Sequence, residues 1–277
     1  MYSQAKSGRL TRAIMAFGLI FFLILCGRNF VGPATMASTF ALSDRQIRAL
    51  AAKRVFFGHM SVGGNILEGV KDLMAADSRL KLNLVTSADP SSVQGPALIE
   101  SEVGENGMPS SKNTAFAAAL SKGMGTQGGI AMYKYCYVDV TDSTDVQHLF
   151  EEYRRGIESL ATEHPSVRII HITVPLTTVE PAPKAWVKEV LGRHTARAAN
   201  IKRNQFNRLL KQTYPADSIF DLAEVESTLP DGSRSYFSSG TDRIYTLAEE
   251  YTSDGGHLNE VGRKAAAERL LTQLASL

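Results

Sequence analysis

From residue 43 on, short apolar runs alternate with stretches in which apolar residues recur every three or four positions. Ser43 is placed to cap a short amphipathic helix over 44–53, and Arg54-Val55-Phe56-Phe57 then reads as a first strand. Ile66, Val70, Leu73 and Met74 carry the helical period through about 63–76, and residues 81–85 read as a second strand. Residues 86–110 are rich in Ser, Gly, Pro and Asn, which predicts a long loop of the kind that carries function. A helix is expected over 112–122 and the strongest strand over 130–140, approached through glycine-rich 123–129. A helix over 145–163, a fourth strand over 167–174 ended by Pro175, and a long helical region over 184–214 follow. Residues 218–222 read as strand five, 226–252 as an irregular insertion, and the residues from Val261 as a last helix. Strands of buried type alternate with helices five times, which predicts a parallel sheet covered on both faces. The expected fold class is therefore α/β, a three-layer α/β/α arrangement around a five-stranded parallel sheet. No repeat and no second linker interrupts it, so one domain is expected over 43–277.

The first forty residues follow another pattern. Lys6, Arg9 and Arg12 precede thirteen apolar residues, 13–25, and then small residues. Basic, apolar, small is the order of a secretory signal peptide, here 1–37, with cleavage expected after Ala37. The apolar run is shorter than the roughly 20 residues of a bilayer span. The alternative is an uncleaved anchor that attaches the chain to a membrane through residues 13–31. Either way the domain is expected outside the cytoplasm, secreted or periplasmic. Cys26 sits where a lipoprotein cysteine would, but bulky Leu25 precedes it, which argues against lipidation. With the leader removed, Cys136 is the one remaining cysteine of two, so no disulfide is expected and Cys136 reads as a small buried hydrophobe in its strand.

A net charge of +2 gives no footing for nucleic acid. The basic cluster Arg193, Arg197, Lys202, Arg203, Arg208 and Lys211 reads as a solvated helix face. The glycines at 123, 125, 128 and 129 fit neither phosphate-loop spacing, and no His pair has metal-ligand spacing, so neither metal nor cofactor is expected. His171 reads as a core or sheet-face residue, His148, His164 and His194 as solvated, and Trp186 as lining a groove or covering the core.

The chemistry concentrates at two places nearly two hundred residues apart. Asp254-Gly255-Gly256-His257 is a glycine turn that can fold a carboxylate back onto its own imidazole, with Asn259 capping the helix beyond. A base oriented by an acid needs a nucleophile. Ser61 follows the first strand and opens a helix, the position in which an α/β enzyme exposes a serine. Taken singly, Ser61 is a helix-start serine and Asp254 a turn acid. Taken together and in this order, Ser61, His257 and Asp254 read as nucleophile, base and orienting acid.

The chain resembles the SGNH (GDSL-type) hydrolases. Asp254, His257, Asn259 and Gly262 match that family's D-x-x-H-x-N-x-x-G block, and Ser61 stands after the first strand as its serine does. Two blocks depart. Gly58-His59-Met60-Ser61 replaces Gly-Asp-Ser, and Cys136-Tyr137-Val138-Asp139 replaces Gly-x-Asn-Asp. The resemblance implies the flavodoxin-like SGNH fold and a serine esterase acting on an O-acetyl or other acyl ester of a small molecule or polysaccharide. It also implies oxyanion donors after the second and third strands. Gly104 and Asn106 are the expected donors, with Asn65 as second choice because Val138 cannot donate from its side chain. His59 is expected either to line the site or to end the strand. An O-acyltransferase using the same triad, or a non-catalytic carbohydrate-binding or assembly protein of this fold, are the alternatives.

Overall fold

The computed structural model describes residues 40–124, 128–180 and 195–277. The expected leader with Cys26, and Trp186, Arg193 and His194, lie outside these residues. The described elements alternate as the pattern requires. They are α1 (Asp44–Ala51), β1 (Arg54–His59), α2 (Val62–Ala76), β2 (Leu84–Thr86), β3 (Ala97–Glu102), α3 (Pro109–Ala119), β4 (Gly129–Tyr133) and α4 (Val146–Glu163). After them come β5 (Val167–Ile172), α5 (Ala196–Thr213), β6 (Ile219–Phe220), α6 (Leu222–Ser227), β7 (Tyr236–Ser239), β8 (Asp242–Tyr245) and α7 (Glu260–Ser276).

The sheet has six strands rather than five, all parallel, in the order β2-β3-β1-β4-β5-β6. The additional strand is β3, inside what composition predicted as one long loop. Its Ala-Leu-Ile half is apolar but its Glu-Ser-Glu half is not, so the pattern fades in mid-strand. Three other expectations shift. The predicted strand 130–140 stops at Tyr133, and its continuation is a non-strand segment, buried at Lys134, Tyr135 and Cys136, that ends in a 3-10 turn at Tyr137–Asp139 where Val138 is exposed. The predicted second strand begins later, at Leu84. The predicted irregular insertion holds the end of α6 and the antiparallel hairpin β7–β8, while α6 itself begins at Leu222, inside the expected strand 218–222.

Successive strand residues point to opposite faces, and each face has its own core. Phe57, Met132 and Ile170 pack with α1, α2, α6 and α7; Phe56, Ala131 and Tyr133 pack with α3, α4 and α5. Each fully buried side chain of this size contributes about 1.5–3 kcal/mol. The layer holding α2 and α7 positions the site. Both helices start at the carboxyl edge of the sheet and lie side by side, so closely that a Cβ on Gly69 would sit 2.3 Å from the Arg263 carbonyl oxygen. Arg263 Nε also donates to Asp72 at 2.8 Å. Two helices fixed in this way bring their N-terminal ends together, and the residues before those ends are Ser61 and His257.

Glu226 is buried in α6. Its Oε2 accepts the Leu176 N–H at 2.7 Å, while Oε1 has no partner among the described residues. Burial pushes the carboxyl from 4.5 up to about 8, against the Leu176 N–H and the Lys134 and Arg203 charges. The folded state therefore holds this proton more tightly than the unfolded chain. The stability so gained is complete below about pH 4.5 and is lost as pH rises through about 8. Between about pH 5 and 8.5 the wild type should lose at least about 1 kcal/mol more than Glu226→Gln, read from urea midpoints at the two pH values.

Candidate active site

Strand β1 ends at His59, and the chain turns sharply at Ser61 to enter α2. Ser61 has φ 54° and ψ −114°, and it is the one non-glycine residue with positive φ among those described. Such a conformation costs on the order of 1–3 kcal/mol and persists where the surroundings fix it. Here the fixed ends are the buried β1 and the first turn of α2, where Gly63 N–H donates to the Met60 carbonyl at 3.1 Å.

The other half of the site is the turn before α7. Asp254 Oδ1 accepts the N–H groups of Gly256 at 2.9 Å and His257 at 2.8 Å, which closes the turn. Gly255 takes φ +87°, and its carbonyl accepts the Thr178 N–H at 2.9 Å. The second carboxylate oxygen lies 2.7 Å from His257 Nδ1. The backbone N–H of His257, then that of Gly256, then the imidazole hold the Asp254 carboxyl far below the usual range, so it is ionised at any pH near neutral. With Nδ1–H donated to Asp254, His257 Nε2 is left as an acceptor, and Ser61 Oγ lies 2.8 Å from it. The side chains of His257 and Asp254 are 44% and 56% exposed, so water reaches this side of the site.

Four residues were expected to surround the serine, and they fall differently. Gly104 takes φ +63°, and its N–H donates to no described residue. The register that pairs His59 with Glu102 ends two residues before Ser61 on one strand and two before Gly104 on the other. Asn106 makes no hydrogen bond to Ser61 or His257; its Oδ1 accepts from Lys112 Nζ at 3.1 Å. Asn65 Oδ1 accepts the Leu258 N–H at 3.1 Å, which ties the first turn of α2 to the residue after His257. His59 does not present a free ring to the site. It is buried, and its Nε2 lies 2.8 Å from Glu100 Oε2 on β3. Burial lowers its pKa in spite of Glu100, so at neutral pH it is a neutral imidazole donating to a carboxylate. For Glu100 burial acts upward, but hydrogen bonds from Thr86 and His59 outweigh it and the carboxyl stays low.

Beneath the serine lies a polar network that the sequence pattern did not disclose. Lys112 and Asp139 form a fully buried ion pair. Asp139 also accepts the N–H groups of Gly107 at 2.7 Å and Cys136 at 2.6 Å. Cys136, expected in a strand, lies beyond β4 with its sulfur 3.3 Å from Lys134 Nζ and 3.6 Å from the Met60 carbonyl oxygen. Arg203, expected on a solvated face, is buried. Its Nε donates to the carbonyls of Tyr137 at 3.0 Å and Val140 at 3.1 Å. The signal that marks part of this network in the sequence is Asp139, which occupies the last position of the Gly-x-Asn-Asp pattern. His171 is a buried residue, as expected, bonded through Nδ1 to Tyr153 at 2.9 Å. No group of three His, Cys, Asp or Glu residues able to hold a metal occurs among the described residues.

Asn65→Ala should strand the Leu258 N–H and loosen the His257 turn. Amide hydrogen exchange at His257 and Leu258 should speed up on the order of 10–10²-fold. Asn65→Asp, which keeps the acceptor, should restore most of the protection.

No family model matches the chain, and no curated protein sequence matches it. Solved structures with a similar arrangement include one from Streptococcus pneumonia assigned as a platelet activating factor. It is 15% identical with a TM-score of 0.46, over 83% of this chain and 91% of that one. A protein assigned to the G-D-S-L lipolytic family from Desulfitobacterium hafniense is 9% identical with a TM-score of 0.44, over 80% and 99%. The periplasmic domain of a Salmonella lipopolysaccharide acetyltransferase is 12% identical with a TM-score of 0.43, over 79% and 83%.

Proposed function

We propose that this chain is a serine esterase of SGNH type, hydrolysing an O-acetyl or other acyl ester outside the cytoplasm after loss of its leader. The observation that carries the reading is the relay from Ser61 Oγ to His257 Nε2 at 2.8 Å and from His257 Nδ1 to Asp254 at 2.7 Å. Ser61 Oγ attacks the acyl carbon while His257 Nε2 accepts its proton. The imidazolium, held by the ionised Asp254, then delivers that proton to the leaving alkoxide. A water, deprotonated by the same nitrogen, releases the acyl group from Ser61 and restores the enzyme. The N–H groups of Ser61 and Gly104 are the backbone donors to the developing oxyanion. A cleft of about 820 Å³, lined in part by Thr177, Thr178, Arg203 and Asp254, opens on the acid side of the relay and has room for a sugar-sized ester.

The same triad also serves an acyltransferase, in which a hydroxyl replaces the deacylating water. The exposure of His257 and Asp254 favours hydrolysis, because water reaches the base directly. A panel of p-nitrophenyl esters and acetylated saccharides, with and without an acceptor sugar, tests both readings. A hydrolase releases one carboxylate per alcohol whether or not acceptor is present; a transferase moves the acyl group to the acceptor. Turnover that survives Ser61→Ala, or that is absent from the whole panel, counts against catalysis through this site and leaves the carbohydrate-binding alternative.

A further inference from the structure

The proposed site contains a polar group that the relay does not use. Tyr137 lies in the 3-10 turn after β4, and its ring stands edge-on to His257, with centroids 5.8 Å apart and planes at 75°. The fit is close. A Cβ on Gly256 would lie 2.9 Å from Tyr137 Cζ and 3.0 Å from its hydroxyl oxygen, so the bare residue before His257 makes room for the phenol. The turn is fixed at both ends. Arg203 Nε donates to the Tyr137 carbonyl at 3.0 Å, and the Cys136 N–H donates to Asp139 at 2.6 Å. Cys136 in turn reaches the carbonyl of Met60, the residue before the serine. Burial and the nearby Asp254 charge raise the phenol's pKa, and Ser61 only partly offsets them, so the group keeps its proton at neutral pH. Beside it, Val138 has no side-chain donor.

We propose that the Tyr137 hydroxyl donates a hydrogen bond to the oxyanion formed when Ser61 attacks an ester, as the side-chain donor of this site. The inference rests on the serine-esterase reading above. As the Oγ–carbon bond forms, the carbonyl π electrons move to oxygen, and that oxygen accepts the Tyr137 O–H together with the Ser61 N–H. The phenol keeps its proton throughout. When the tetrahedral species collapses, the electrons return to the carbonyl, the bond to the leaving oxygen breaks, and that oxygen takes the proton from His257.

Tyr137→Phe isolates the hydroxyl, because the ring that packs against Gly256 and His257 is retained. With a p-nitrophenyl ester, kcat should fall by roughly 10–10³-fold with KM little changed. The acid limb of the pH–rate profile should stay where it is, since His257 is untouched; a phenol acting through the base would move that limb. Tyr137→Phe/Val138→Asn, which supplies an amide donor one residue on, should regain part of the loss. Thermal melting of each variant at the wild-type temperature verifies that the fold is kept. An unchanged kcat in Tyr137→Phe, or a fall accompanied by a moved acid limb, overturns the assignment. Ser61→Ala run alongside separates the two levels. If it keeps turnover, the esterase reading fails; if it is inactive while Tyr137→Phe behaves as wild type, only the role of Tyr137 fails.

Discussion

Ser61→Ala should lower esterase turnover by roughly 10⁴–10⁶-fold while leaving the fold intact. The size follows from what the hydroxyl does. It is the one atom that forms a covalent bond to substrate, and no described nucleophile shares His257 with it. Loss of the fold is not expected, because Ser61 donates to no core partner and its truncation opens no apolar cavity. Alanine in the strained φ 54° conformation is no worse placed than serine. His257→Ala should cost about as much as Ser61→Ala, and the double variant little more than either, since the two act as one unit. Asp254 is expected to matter less, because its carboxylate is half exposed and an imidazole without it still accepts a proton. Asp254→Ala also removes the acceptor that closes the turn on Gly256 and His257, whereas Asp254→Asn keeps an oxygen for that purpose. The alanine variant should therefore be the poorer of the two. A fluorophosphonate probe should label Ser61 in the wild type and fail to label the His257 variant. Labelling at another serine, or ester turnover that persists without Ser61, would remove the assignment.

Much of this arrangement was legible in the chain, for physical reasons that also show where legibility ends. Strand β1 lies between helices and is buried along nearly its whole length, so it is a short apolar run with clear ends, and β5 repeats the pattern apart from its exposed Arg168. The Asp254–His257 turn is local: one carboxylate closes it, and only two glycines lie between the acid and the imidazole. Ser61 is local too, because a strand, a turn and a helix follow one another without a break. Strand β3 was hidden because its second half carries Glu100 and Glu102, and Glu100 is polar for the sake of His59, forty-one residues away. The segment after Tyr133 reads as strand in the sequence because burial makes coil and strand equally apolar. Asn65 and Asn106 have the amide chemistry of an oxyanion donor, yet nothing in the sequence says that the first is tied to Leu258 and the second to Lys112. Tyr137 carries no sequence signal for the converse reason. Its chemistry depends on the bare Gly256 across the site, a relation between residues more than a hundred positions apart.

The network that supports Tyr137 should also carry an unusual share of the stability. Asp139→Ala should destabilise the protein by about 3–5 kcal/mol, a large part of the 5–15 kcal/mol typical of a whole domain. Lys112 and Asp139 have no exposed side-chain surface, so removing the carboxylate leaves an ammonium in the interior with Asn106 Oδ1 as its one remaining acceptor among the described residues. The N–H groups of Gly107 and Cys136 lose their acceptor in the same change. Lys112→Met should cost less, because the stranded carboxylate still accepts those two N–H groups. Lys112→Met/Asp139→Asn should be milder than Asp139→Ala alone, since neither charge is then left without its partner and the amide oxygen can still accept a backbone N–H. Urea denaturation at neutral pH reads all three. The ordering matters more than any single value: if Asp139→Ala loses less than about 1 kcal/mol, or if the double variant is the least stable, the pair is not the buried, mutually dependent one described. Activity adds a second reading. Asp139 fixes both the loop that carries Gly104 and the turn that carries Tyr137, so the double variant, even where folded, should hydrolyse esters more slowly than the wild type.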